Sequence, residues 1–184
     1  WVFYLELIRT TKATRYNSCC LIDMFTANVG VLEYFGVTCP SVLVEAQSTN
    51  LIDHSEDLSN AYWVKTRATI TSDSIASPIA STNADKVVPT AVSGNHFVRR
   101  STTASNATYI FSGFYKDGGY DVAIRVTGAS FNNRVEYQVD LSDGSEIAFI
   151  QAGTFTGSGA TIAYPNGWYR VVVTINVPSG EPNL

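Results

Sequence analysis

Apolar and polar residues alternate most clearly from residue 107 onward. In Ala107-Thr108-Tyr109-Ile110-Phe111-Ser112-Gly113-Phe114-Tyr115-Lys116, the rings of Tyr109, Phe111 and Tyr115 fall on one face. In Tyr120-Asp121-Val122-Ala123-Ile124-Arg125-Val126-Thr127, Val122, Ile124 and Val126 alternate with Asp121 and Arg125. Arg134-Val135-Glu136-Tyr137-Gln138-Val139-Asp140 repeats the pattern with Val135, Tyr137 and Val139. Strand side chains point to opposite faces with period two, so these segments predict half-buried strands. Trp168-Tyr169-Arg170-Val171-Val172-Val173-Thr174-Ile175-Asn176-Val177 is the longest β-branched run and predicts a central strand. Turn chemistry punctuates these segments at Asp117-Gly118-Gly119, at Asp143-Gly144 between Leu141 and Ile147, and at Asn166-Gly167.

Upstream the pattern is weaker. Residues 62–70, 84–88 and 95–101 read as strands, with a Ser/Thr/Asp/Pro loop running to residue 83. Ser55-Glu56-Asp57-Leu58 reads as one helical turn, capped by the serine hydroxyl, with two acids at the positive end of the dipole. Before residue 50 the segments are short and irregular, although Pro40-Ser41-Val42-Leu43-Val44-Glu45 is compatible with one strand. Val2, Phe3, Leu5, Leu7, Ile8 and the 29–35 stretch lack a local surface to cover them, so this part is expected to lean on other chains. The chain therefore divides into an N-terminal segment, 1–50, and a β domain, 51–184. The expected fold is all-β: an antiparallel β-sandwich beginning near Trp63, with eight or so strands and jelly-roll topology.

Composition narrows the function classes. Of the 184 residues 45% are hydrophobic and 15% charged, a balance opposite to that of disordered chains. The net charge is −4 and the longest cationic cluster is Arg99-Arg100, which argues against a nucleic-acid partner. No apolar stretch reaches the length of a membrane span, so no membrane insertion is expected. Trp1-Val2-Phe3-Tyr4-Leu5-Glu6-Leu7-Ile8-Arg9 is interrupted by Glu6 and does not read as a signal peptide. A start without Met and an end at Glu181-Pro182-Asn183-Leu184 are expected of a piece of a longer polypeptide.

Little in the sequence suggests catalysis. Cys19, Cys20 and Cys39 cannot all pair, and His54 and His96 lie in unrelated segments, so the cysteines read as small buried hydrophobes and not as zinc ligands. Gly153, Gly157 and Gly159 lack the lysine and following helix of a phosphate loop, and no serine nucleophile elbow occurs. Glu136 with Asp140 or Asp121 has the residue types of a glycosidase pair, but Arg125 and Arg134 nearby favour a salt-bridged sheet face. The chain is expected to be no enzyme and to need no cofactor or metal. The polar face of Arg125, Arg134, Glu136 and Gln138, edged by Tyr120 and Phe131, has the planar groups and aromatic rims that bind sugars. Tyr120, Arg125 and Gln138 are its candidate glycan-contact residues, against the plainer reading of a solvated sheet face.

Several phrases, in order, resemble a module recurrent in tailed-bacteriophage structural proteins. They are Lys12-Ala13-Thr14-Arg15-Tyr16, Thr26-Ala27-Asn28-Val29, Val42-Leu43-Val44-Glu45-Ala46-Gln47-Ser48-Thr49-Asn50-Leu51-Ile52, and His54-Ser55-Glu56-Asp57-Leu58-Ser59-Asn60-Ala61-Tyr62-Trp63-Val64-Lys65. Ala84-Asp85-Lys86-Val87, Tyr109-Ile110-Phe111-Ser112 and Asn166-Gly167-Trp168-Tyr169-Arg170 resemble the carbohydrate-binding-like jelly roll that usually follows. Ser48 stands where the family usually has Arg, and Pro40-Ser41 replaces a glycine. The resemblance implies a virion component of fibre, tail or head-decoration type. It also implies residues 1–50 as an attachment and oligomerisation segment, a trimer, other virion proteins as partners, and a host-surface glycan as a further partner. The rival expectation is a carbohydrate-binding module of a bacterial secreted or cell-surface glycoside hydrolase.

Overall fold

The computed structural model describes residues 13–16, 22–25, 32–33, 41–42, 50–78, 81–129, 131–180 and 184. They fall into two compact units: residues through Ser59 together with Thr69–Val88, and Asn60–Ala68 together with Pro89–Leu184. The boundary expected at residue 50 lies within the first unit. The three cysteines lie outside the described residues.

In the first unit, β1 (Ala13–Tyr16) pairs antiparallel with β2 (Ile22–Phe25), and β3 (Leu32–Glu33) with β4 (Ser41–Val42). Further on, β6 (Ala68–Ala76) pairs with β7 (Thr82–Pro89), although residues 71–76 read as loop in the sequence. Their polar run has no apolar period. Asp85 on β7 holds the arrangement: one carboxylate oxygen accepts the Asp73 N–H at 3.1 Å and the other the Leu58 N–H at 2.7 Å. The helical turn expected at Ser55-Glu56-Asp57-Leu58 is absent. His54 takes a left-handed φ of 51° and its carbonyl accepts the Asp57 N–H at 3.1 Å, closing a single turn. The Asp57 carboxylate then accepts from the Ser59 N–H and hydroxyl, so it closes an Asx turn and caps no helix.

The second unit is an antiparallel β-sandwich. β5 (Val64–Thr66) pairs with β8 (Phe97–Arg99). The strand expected over 62–70 is cut at Arg67, whose φ of 49° breaks the extended run between β5 and β6. One main sheet has the order β13-β14-β9, from Thr156–Tyr164, Trp168–Val177 and Ala107–Lys116. The other has the order β10-β11-β12, from Val122–Thr127, Arg134–Val139 and Glu146–Ala152. The β-branched run is thus the central strand of its sheet, as its composition predicts. The expected turns also form: Gly119, Gly144, Asn166 and Gly167 all have positive φ, which the L-residues of an ordinary strand avoid.

Both strand alternations hold. Ile124, Val135, Tyr137, Val139 and Leu141 meet Val171, Val173, Ile175 and Val177, and Phe155 plugs the corner between β12 and β13. Each fully buried Val or Ile contributes about 1.5–3 kcal/mol of transfer free energy, which offsets the cost of ordering its strand. Tyr115 packs against this core, and burial pushes its hydroxyl above the ordinary tyrosine range. Gly157 and Gly159 serve packing: a Cβ at Gly159 would run into the Tyr137 ring, and one at Gly157 into the Thr174 carbonyl. With that room, Tyr137 spans the sandwich and its hydroxyl lies 3.2 Å from the Thr161 hydroxyl of the opposite sheet.

Gly159→Ala is expected to lower stability by about 1–3 kcal/mol through overpacking, read from the urea midpoint, whereas Ser158→Ala on the exposed side leaves it within about 0.5 kcal/mol. Asp85→Ala leaves two backbone N–H groups without their acceptor. Hydrogen exchange at Leu58 and Asp73 is expected to accelerate together, at about 1–3 kcal/mol of local stability.

Candidate functional site

The polar positions of β11 face away from the core, because Val135, Tyr137 and Val139 occupy the inner side. Pairing sets Glu136 opposite Arg125 and Ile150, Gln138 opposite Ala123 and Ala148, and Arg134 opposite Thr127 and Ala152. Arg125 and Gln138 do project from neighbouring strands onto one face, the arrangement expected from alternation.

This face differs from an ordinary solvated surface. Glu136 is only 3% exposed. Its Oε2 accepts the Arg125 Nε–H at 2.6 Å and its Oε1 accepts a Gln138 Nε2–H at 2.6 Å, so both carboxylate oxygens are engaged. Burial works against ionisation, but the hydrogen bonds from Arg125 and Gln138 and the positive charges of Arg125 and Arg134 prevail. The carboxyl is held below its usual range. The Arg125 side chain remains 54% exposed. Arg134 Nε is buried without a hydrogen-bond partner. A buried carboxylate thus fixes a guanidinium and an amide on a tray whose other residues are Ala123, Thr127, Ala148, Ile150 and Ala152.

The expected rim residues lie at opposite ends of β10. Tyr120, 67% exposed, precedes it, and Phe131, exposed with a φ of 57°, follows it. A six-residue strand spans roughly 20 Å, so one small sugar reaches only one of these rings. Tyr120 is at the Gln138 end, since the next strand residue, Val122, pairs with Val139. Asp140 belongs to the adjoining turn, where its carboxylate accepts the Ser142 N–H at 2.8 Å.

Two further exposed groups escaped the reading of the sequence. The outer face of β13-β14-β9 carries Ile110, Phe114 and Ile162, with Tyr164 edge-on to Phe114 at 5.0 Å and Arg170 at 6.0 Å from the Phe114 ring. The aromatic run of β9 drew attention to its inner rings, not to those between them. Just beyond the β5–β8 pair, Arg100 lies 4.1 Å from the Tyr62 ring centre and donates to the Tyr62 carbonyl at 3.3 Å. Among the described residues, no group of three His, Cys, Asp or Glu side chains is placed to hold a metal, and no helix is long and apolar enough to cross a membrane.

The chain matches no protein-family model and no curated protein.

The depressed value of Glu136 has a signed consequence. Its ionised form stabilises the folded state above the ordinary value of 4.5, and that contribution is lost as the pH falls through the lower folded value. Urea midpoints measured from neutral pH downward are expected to drop in this acid window, and the drop is smaller in Glu136→Gln.

Proposed function

We propose that this chain is a structural component of a bacteriophage virion whose β-sandwich attaches to host-surface glycans, with the N-terminal segment engaging other virion proteins in a homotrimer. The ordered phrases that resemble tailed-phage structural modules support the virion reading. The observation that carries the adhesive reading is Glu136: a nearly inaccessible carboxylate that clamps Arg125 and Gln138 on the outer face of a sheet. Groups held in place before a ligand arrives lose less entropy on binding, which suits a shallow site. Planar guanidinium and amide groups match adjacent sugar hydroxyls, and Tyr120 offers a ring at one end. One such site binds weakly, and three on a trimeric fibre gain avidity by raising the effective concentration. A jelly-roll topology of the kind common among carbohydrate-binding modules belongs to the same proposal.

A glycan array with the full chain tests this. Binding to a subset of bacterial surface glycans, reduced at least tenfold by Arg125→Ala and by Tyr120→Ala, is the expected result. Binding to no glycan, or binding indifferent to both substitutions, leaves the chain as a purely structural virion part.

A further inference from the structure

We infer that this face selects sugars bearing a carboxylate. The inference rests on the glycan-binding reading of the same face and concerns its ligand class. Arg125 and Arg134 project from paired strands at diagonal positions, Arg125 opposite Glu136 and Arg134 opposite Thr127. Diagonal neighbours lie roughly 7–8 Å apart, within reach of long side chains. Two guanidinium groups therefore share a single carboxylate, and the cluster keeps a net charge of about +1 at neutral pH.

Each oxygen of that carboxylate already accepts one bond, and neither accepts one from Arg134 Nε. Arg125 Nε–H and the Gln138 amide each occupy one of its oxygens at 2.6 Å. Arg134 Nε is buried and lacks a hydrogen bond, an uncommon and costly state for a charged donor. Arg125 bonds Glu136 through Nε, which leaves its terminal Nη groups as donors on a side chain that is 54% exposed. An anion arriving over the tray receives the paired Nη donors of Arg125 in fork geometry. It also gives Arg134, on rearrangement, the partner that its Nε lacks in this structure. The planar, two-oxygen acceptor matched to that fork is a carboxylate. Gln138, with its amide N–H turned to Glu136, retains a carbonyl oxygen to accept a neighbouring sugar hydroxyl.

A neutral sugar satisfies none of the excess charge. A second carboxylate-free reading, a self-contained salt bridge, leaves Arg134 Nε unexplained. The chain's overall charge of −4 does not favour anions in general, so the preference is local to this cluster.

The test compares affinities, by isothermal titration with the full chain, for hexuronate oligosaccharides and for nonulosonate-capped oligosaccharides. Each is set against its carboxyl-reduced neutral counterpart. At least one acidic probe is expected to bind tenfold or more tightly than its reduced form, and more weakly as ionic strength rises. Which acidic arm binds distinguishes the source of the carboxylate. Arg134→Gln and Arg125→Gln are each expected to bring the acidic-to-neutral ratio to within about threefold of unity. That ratio is taken on one preparation, so a partly unfolded variant does not alter it. Equal affinities in the wild type, or an acidic preference that survives both substitutions, overturns this inference and leaves neutral-glycan binding standing. Binding to no probe and to no glycan on the array overturns the underlying reading as well.

Discussion

The alternation of β11 ties the inside of the sandwich to its outer face. Val135, Tyr137 and Val139 are buried on one side, so Arg134, Glu136 and Gln138 must occupy the other. A slip of one residue would drive three polar groups into the core and expose three apolar ones, so the register is strongly specified. Tyr137 pins it further. Its ring needs the space left by Gly159, lies edge-on to Phe149 at 6.1 Å, and brings its hydroxyl to Thr161. The position of Glu136 is thus as firmly set as that of the core residue beside it. Arg125 and Gln138 inherit that order through their bonds to its carboxylate.

The parts of the fold legible in the sequence are those where side-chain period and turn chemistry agree. Strands β9, β10, β11 and β14 combine alternation or β-branching with Asp-Gly, Gly-Gly or Asn-Gly turns, and each forms where these signals place it. Two of the failures share a cause: a distant carboxylate supplies a hydrogen bond that local reasoning did not foresee. Thr71-Ser72-Asp73-Ser74 carries no apolar period, yet belongs to β6 because β7 pairs with it and Asp85 takes the N–H of Asp73, which has a left-handed φ of 51°. The same carboxylate, 27 positions away in sequence, takes the Leu58 N–H that a helix cap would have satisfied locally. Arg67 interrupts an apparently continuous strand through a left-handed φ, which an arginine adopts without any sequence signal.

The candidate face was half legible. Period two assigns residues to sides, but it does not say how deeply a side is covered. Glu136 reads as one charge on a wet surface, and only the flanking strands, with Arg125 and Ile150 directly across, reduce its exposure to 3%. Arg134's missing bond is likewise invisible until the strands bury its Nε away from any acceptor. Asn60-Ala61-Tyr62-Trp63-Val64-Lys65 shows the converse, a distinctive phrase with a conformational explanation. The Asn60 side chain accepts the Tyr62 N–H at 2.9 Å, and its carbonyl accepts from Trp63 N–H and the Lys65 ammonium. Such a phrase can be specific because it encodes a turn, and its presence marks no binding site by itself.

Energetics separate the polar face from ordinary structural support. Replacing a buried ion pair by well-packed apolar residues is often neutral or stabilising, since desolvation consumes much of the Coulomb attraction. The outer face of the opposite sheet shows that this sandwich accepts apolar residues outside, with Ile110 69%, Phe114 38% and Ile162 40% exposed. Apolar residues at 125, 134 and 136 together would have cost the fold little, and would have removed the unbonded Arg134 Nε with them. What the carboxylate supplies, and an apolar side chain does not, is orientation: a guanidinium fork and an amide fixed side by side at a water-facing surface. Under the proposed function, that fixed orientation is what a polar ligand meets on arrival.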